Sequence, residues 1–392
     1  MALSDFTSWF DQPLSKLYYN DEHEAWRHMY RRFVDKEIAP KLADWEEQGI
    51  FPRELYPKAA ELGVLQMGYP EEYGGVPDTD HFFSIISAQE QARSGGGGVN
   101  SSLITHTIGM PPIVNLGTEA MKEKIIPGIV SGEKISALAI TEPSGGSDVA
   151  SLQTTAKREG DHYIVNGSKM FITSGTRADF FTVAVRTGGP GRAGISLLLI
   201  EKDTPGFTAT SLKKMGWHSS DTAALYFNDC KVPVENLIGE ENKGFGIIVG
   251  NFNAERLGLA AMANALAMVC MDEAVAWARE RITFGQRLID HQVIRHKFVE
   301  MAKRITATQA FIEKTAWQME NESMPITELS MVKLMAAETM EYCAREAVQV
   351  FGGSGFMHGN KVERIYREVR VYAIGGGSEE IMRELAAKQM AF

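Results

Sequence analysis

Several stretches of this 392-residue chain place small, polar and ionisable residues together in patterns that could hold a ligand. Thr141-Glu142-Pro143-Ser144-Gly145-Gly146-Ser147-Asp148 follows an apolar run, and its small residues would let backbone N–H groups approach a ligand; it also suits an ordinary turn. Residues 166–175, NGSKMFITSG, read as a hairpin turn feeding a strand that carries an aromatic and hydroxyls, or as a plain hairpin with Phe171 in the core. RITFGQ (residues 281–286) ends a long helical run, and its Arg281 could meet an anion or pair with Asp290. QVFGGSGF (residues 349–356) closes another helix. The Gly95–Gly98 run could cradle a phosphate, but no strand or Gly-Lys-Ser/Thr motif flanks it, which favours a flexible interhelical loop. His106, Asp161, His162 and His218 have no second ligand at metal spacing, so no metal is expected.

Three kinds of element must position these stretches. From about residue 14 to 130 apolar residues recur at three and four positions, with Pro40 and Pro52 as punctuation, which predicts helical hairpins. From Glu133 to about Gly239 the runs ISALAIT, HYIVNG, KMFITS, FFTVAV and ISLLLIE are short and β-branched, which predicts a β domain. Beyond Gly244 long helical periods return and predict an antiparallel bundle. The expected domains are 1–132, 133–240 and 241–392. Leu257–Met271, the most apolar stretch, is short for a membrane span and contains Asn264, which predicts a buried helix.

Net charge and cysteine usage narrow the possibilities. A formal charge of −10 argues against a nucleic-acid or anionic-membrane surface, so an anionic ligand must meet a local basic site. Cys230, Cys270 and Cys343 are odd in number and far apart, which suggests neither a disulfide framework nor zinc and fits a reducing cytoplasm. The N-terminal MALSDFTSWFDQ carries no targeting pattern.

Taken in their order and spacing, the segments at 141–148, 166–175, 281–286 and 349–356 resemble those of the acyl-CoA dehydrogenase family over essentially the whole chain, as do Phe51-Pro52 and the turn Pro70-Glu71-Glu72-Tyr73-Gly74-Gly75. The resemblance implies a mainly α fold with a central β domain: an N-terminal helical domain, a middle barrel-like β domain and a C-terminal four-helix bundle. It also implies noncovalent FAD, a homotetramer, an acyl-CoA substrate and an electron-transferring flavoprotein as acceptor. Ile140, Thr141, Gly146 and Ser147 would face the flavin and the upper acyl-CoA, with Phe171, Ile172 and Thr173 over the isoalloxazine. Many relatives have Trp at Phe171; Phe keeps the aromatic shield and loses an N–H donor. Arg281, Phe284, Gln292, Gln349 and Gly353 would reach the FAD of a neighbouring subunit, and Arg281 suits its pyrophosphate because a guanidinium makes charge-assisted forks. Ser378 and Glu380 fall among the cofactor positions, and Phe252, Asn253, Arg256 and Gly377 among those for substrate. Ile104 and Ser101, Ser102 and Leu103 would border the acyl pocket.

Dehydrogenation next to a thioester needs a carboxylate for the α proton, a hydride acceptor at the β carbon and donors on the carbonyl oxygen. Many family members carry that carboxylate in a Tyr-Glu-Gly-Thr turn; the matching run here is Gly375-Gly376-Gly377-Ser378, which lacks it and keeps only the Gly376 backbone N–H. Isovaleryl-CoA and long-chain acyl-CoA dehydrogenases place a Glu before an Arg on the first C-terminal helix, which here reads Glu255-Arg256. The resemblance therefore implies Glu255 as base; without it, Glu255 reads as a solvated first-turn acid stabilised by the helix dipole. Arg256 would contact pantetheine or brace the 376 turn. Glu379 and Glu380 are rivals, but EEIMRELAAK reads as a helix capped by Ser378. The implied reaction gives trans-2-enoyl-CoA from a branched-chain or medium-to-long-chain acyl-CoA. A flavin oxidase or oxygenase of the same fold and a noncatalytic FAD or acyl-CoA binder are the alternatives.

Overall fold

The structure, a computed structural model, describes residues 6–77 and 79–392; residues 1–5, where the N-terminal reading begins, lie outside the described residues. The helical first part consists of α1 (Asp21–Phe33), α2 (Leu42–Gln48), α3 (Leu55–Ala60), α4 (His81–Ala92), α5 (Gly98–Leu103), α6 (His106–Gly109), α7 (Pro111–Leu116) and α8 (Glu119–Val130). A reciprocal capping box between Asn20 and His23 starts α1, which packs on α4. The expected pair of hairpins is instead a run of short helices. Proline and glycine explain the breaks: Gly49 ends α2 in the left-handed region, and Pro111 and Pro112 start α7.

The sheet contains β1 (Ser136–Ala139), β2 (Thr155–Glu159), β3 (His162–Thr173), β4 (Phe180–Arg186), β5 (Ile195–Glu201), β6 (Phe207–Ser211), β7 (Thr222–Pro233) and β8 (Leu237–Ile238). Its order is β6-β7-β3-β2-β4-β5-β8, with β1 parallel to β4. Strands β4 and β5 read as unbroken apolar runs because both faces are covered. Phe181, Val183, Val185, Leu198 and Ile200 join the core shared with α1 to α3, whereas Phe180, Ala184, Ile195, Leu197 and Leu199 pack with α7 and α8.

The last part is α9 (Gly244–Glu280), a small hairpin β9 (Ile282–Thr283) and β10 (Gln286–Arg287), then α10 (Gln292–Asn321), α11 (Ile326–Phe351), α12 (Gly353–Phe356), α13 (Lys361–Ile374) and α14 (Glu379–Gln389). By length and composition α9 could cross a membrane, yet 78% of its most apolar window is buried. Every residue from Ala260 to Met271 is buried, surrounded by α10, α11, α13 and α4. It is the centre of the bundle and carries Glu255.

Candidate functional site

The sheet wall of the site forms where β1 runs into the Thr141–Asp148 loop. Lys169 on β3 is fully buried and donates to Ile140 O at 3.0 Å and Glu142 Oε1 at 2.8 Å. Glu142, also buried, accepts from the amides of Gln153 and Thr154 at 2.6 and 2.9 Å. Burial penalises both charges. Lys169 and those amides nevertheless hold the Glu142 carboxyl below its usual value, while burial lowers Lys169 to about 8. The Met170 amide donates to Thr141 O at 2.8 Å, so the loop and β3 form one unit. Sequence reasoning missed this pair, whose only signal was a lone Lys amid strand residues.

Asn166-Gly167 is not a hairpin turn: β3 runs straight through it, antiparallel to β7, with irregularities between Val165 and Gly167 and between Lys169 and Ile172. The turn lies instead at Gly160-Asp161, between β2 and β3. Phe171 is not in the core. At the second irregularity it takes φ 63°, which throws its ring outward to 67% exposure, while Ile172 is buried. Thr173 pairs with Thr222 on β7. Ile140 is buried, Thr141 half-buried, and Gly146 and Ser147 exposed.

The helical wall forms where α9 meets the Gly375–Ser378 turn between α13 and α14. Glu255 is not a first-turn acid, because α9 begins at Gly244. It is partly accessible, and burial pushes its carboxyl up to about 7 against the opposing charges of Arg256 and Lys333. Gly376 has φ +67°, a left-handed conformation that favours glycine. A Cβ there would collide with Leu259 Cδ1 and lie 4.0 Å from Glu255 Oε1. The Glu255 carboxylate thus borders the space that a side chain at 376 would enter, and Leu259 fills part of it.

Arg256 braces the turn: its Nε donates to Gly376 O at 3.4 Å and its Nη1 to Asn253 Oδ1 at 2.9 Å. Asn253 is buried, and Phe252 is a partly buried neighbour of the α7–α8 core. Lys333 on α11, which the sequence did not single out, is buried and donates to Gly377 O at 2.6 Å. Among the described residues the Gly376 N–H has no protein acceptor. Ser378 accepts from the Ile381 amide as N-cap of α14, and exposed Glu380 is held low by its own amide and the Ser378 hydroxyl.

Residues 212–221 tie the two walls together. Ser174 N donates to Asp221 O at 3.1 Å, and Trp217 packs edge-on against Tyr372 of α13 with centroids 5.5 Å apart. Ser102 and Ser220 hydroxyls meet at 2.7 Å, bringing α5 alongside. The Gly95–Gly98 run is buried, contrary to its reading as a flexible loop: Gly97 N donates to Glu368 at 2.8 Å, and a Cβ at Gly97 would collide with Trp217 and Tyr372. Here glycine permits close approach.

The remaining candidates sit elsewhere. Arg281 follows α9, 26 residues after Glu255, or about 39 Å along the helix at 1.5 Å per residue. Phe284 is 99% exposed, and Arg281, Gln292, Gln349 and Gly353 are exposed. Trp277 stacks on Phe351 at 4.8 Å, holding the ends of α9 and α11 together. Asp290 does not pair with Arg281: it is taken by Arg287 at 3.0 Å, three residues away on the same turn.

Comparison with known proteins agrees with this architecture. Family models described as the N-terminal, middle and C-terminal domains of acyl-CoA dehydrogenase match residues 20–133, 137–230 and 242–391. The mitochondrial long-chain specific acyl-CoA dehydrogenase of Mus musculus is 36% identical over 95% of this chain and 87% of its own length. A crystal structure of a putative acyl-CoA dehydrogenase from Mycobacterium smegmatis superposes with TM-score 0.94 at 45% identity, covering 96% of this chain and all of that one. A glutaryl-CoA dehydrogenase from the same organism, in complex with FADH2, gives 0.89 at 25% identity with 96% of each chain covered.

Proposed function

The chain belongs to the acyl-CoA dehydrogenase family, and from that premise we propose that it removes the α proton of an acyl-CoA with Glu255 and yields a trans-2-enoyl-CoA. It is an oxidoreductase, and FAD is its cofactor. The residues present fit that group: Phe171 presents an exposed ring and Thr173, two residues on along β3, a half-buried hydroxyl, and Arg281 is an exposed cation for a pyrophosphate. When bound, FAD supplies the hydride acceptor at flavin N5.

The chain's own residues do the rest. The observation that carries the reading is the Glu255 carboxyl beside Gly376, with its affinity for a proton raised to about 7 by burial. A carboxylate tuned toward neutrality is a far better base than one near 4.3, and at neutral pH about half of it remains ionised. The free Gly376 N–H would donate to the thioester oxygen, lowering the cost of charge that grows there as the proton leaves. Arg256 holds the turn that aims this donor. Ile140, Thr141, Gly146, Ser147, Phe171, Ile172 and Thr173 would line the flavin side, with Phe252, Asn253 and Gly377 toward the substrate.

Arg281 and Phe284 follow the end of α9, about 39 Å along the helix from Glu255; Gln292 starts α10 just beyond, and Gln349 and Gly353 flank Phe351, which stacks on Trp277 near that end, while Phe284 and Phe356 are 99% and 87% exposed. Their placement supports a site completed by a second copy; the homotetramer is the assembly that the family resemblance implies. An electron-transferring flavoprotein is the proposed acceptor. The substrate class is a branched-chain or medium-to-long-chain acyl-CoA. Leu259, sharing the space in front of Gly376, limits how much branching that space admits.

The test is an anaerobic screen for flavin bleaching with isovaleryl-, octanoyl-, palmitoyl- and glutaryl-CoA. Bleaching by one of the first three with formation of its enoyl-CoA is expected. Wild-type holoenzyme that no acyl-CoA bleaches would instead point to a binding protein. Rapid reoxidation in air with a non-thioester reductant would point to an oxidase.

A further inference from the structure

Behind the Gly376 turn, two cations rise from different helices and grip consecutive backbone carbonyls. Arg256 of α9 donates to Gly376 O, and Lys333 of α11 donates to Gly377 O at 2.6 Å. Lys333 is only 2% exposed, in an α11 segment whose neighbours Leu329, Val332, Ala336 and Ala337 are buried core residues. A buried ammonium is costly, and a lysine placed there with no carboxylate bonded to it needs another reason. Charged groups reach it from α9 (Glu255 and Arg256) and from α14 (Glu379 and Glu380), and none of the three carboxylates forms an ion pair with it among the described residues.

The turn explains what such a cation is for. Gly376 and Gly377 have φ +67° and +105° and no side chains, so the turn has little steric restraint of its own. Gly375 is fixed by the hydrogen bond its amide donates to Val371 O, and Ser378 by its capping role. Between these two anchors the hydrogen bonds to Gly376 O and Gly377 O hold the two peptide planes that follow the Gly376 N–H, and loosening them would let the turn, and that N–H with it, shift.

Resting on the reading that this N–H serves a thioester oxygen, we propose that Lys333 is a positioning residue: it locks the Gly376-Gly377 turn through Gly377 O. In doing so it keeps the Gly376 donor aimed and places a fixed positive charge behind the oxygen on which negative charge grows. Burial holds Lys333 down to about 8, so it is still largely cationic at neutral pH. Fixed donors and charges of this kind act mainly on the transition state. Lys333 therefore governs the rate of proton removal more than the affinity for substrate.

The experiment compares holoenzyme carrying Lys333→Met, which keeps an apolar stem and removes the donor, with Lys333→Arg, which keeps a cationic donor. Flavin content and thermal unfolding establish that each is folded. If Lys333→Met does not fold, Lys333→Gln, a neutral donor of shorter reach, takes its place with the same outcomes. Two quantities are read. Stopped-flow bleaching with the fastest acyl-CoA of the screen separates the limiting rate constant from the apparent Kd. Raman difference spectra of bound trans-2-octenoyl-CoA, ¹³C-labelled at the thioester carbonyl, or of the enoyl ester of that fastest substrate, report polarisation of the C=O bond.

In Lys333→Met the rate constant falls about tenfold to a hundredfold, less than complete loss of an oxyanion donor. Kd changes less than threefold, and the carbonyl band moves back toward its frequency in free ester; Lys333→Arg recovers much of both. A folded Lys333→Met with the wild-type band and rate constant overturns the proposal, and so does a loss confined to Kd. The band is recorded with product bound, where no proton moves. If Glu255→Gln keeps full turnover, the base assignment fails while this test stands; an unmoved band in Lys333→Met sinks the clamp alone.

Discussion

The two walls of the site each hold a glutamate among cations, with opposite results. On the sheet wall, Lys169 spends its ammonium on Glu142, two backbone amides complete that carboxylate, and its proton affinity is held down. On the helical wall, Arg256 and Lys333 spend their hydrogen bonds on Gly376, Gly377 and Asn253, and Glu255 accepts none of them. Its proton affinity rises. The presence of a nearby cation therefore does not decide whether a buried carboxylate is structural or reactive; what the cation is hydrogen-bonded to does.

The contrast can be broken at each wall. On the sheet wall, Lys169→Met strands a buried carboxylate, which costs about 3–5 kcal/mol. Urea unfolding should show that loss, and the purified protein should carry less flavin because the Thr141–Asp148 loop loses its side-chain tie to β3 and keeps only the Met170 N–H bond to Thr141 O. On the helical wall, Gly376→Ala forces a side chain into a left-handed backbone and against Leu259. A destabilisation of about 1–2 kcal/mol is expected, with a larger fall in kcat/KM. Adding Leu259→Ala should restore part of the activity and raise the relative rate with 3-methyl-branched acyl-CoAs. No recovery in the double variant would show that the collision is not what matters.

A subtler difference lies in stability. A carboxylate whose proton affinity is raised on folding is penalised only when ionised: the penalty is absent below the unfolded value near 4.5, grows as pH climbs to about 7, and is complete above it. Glu255→Gln should thus unfold at the same denaturant concentration as wild type near pH 4.5. At pH 8 it should be up to about 3 kcal/mol more stable. Glu142→Gln on the other wall should be destabilising at pH 8, the opposite sign.

Much of this was legible in the chain itself. The apolar runs of β4 and β5 and the long periods of α9 to α11 announced a β domain between two helical parts of the chain, and Gly375–Ser378 with Glu255-Arg256 announced the helical wall. What stayed hidden depends on distant partners. Asn166-Gly167 looks like a turn in isolation, but pairing with β7 carries the chain through it and turns Phe171 outward. Gly95–Gly98 looks flexible because composition does not distinguish glycine that moves from glycine that admits Trp217, Tyr372 and Glu368. Lys333, a single cation in SMVKLMAA, acquires meaning only when α13 and α14 bring Gly377 over it.

Whether Glu255 takes the proton is read from the rate constant of anaerobic flavin bleaching by the preferred acyl-CoA, measured across pH for wild type and Glu255→Gln. Wild type should rise with pH and level off above about 7, and Glu255→Gln should be slower by about 10²–10⁴-fold with that rise gone. A Glu255→Gln enzyme that bleaches at the wild-type rate, or that keeps the same dependence on pH, would contradict the account.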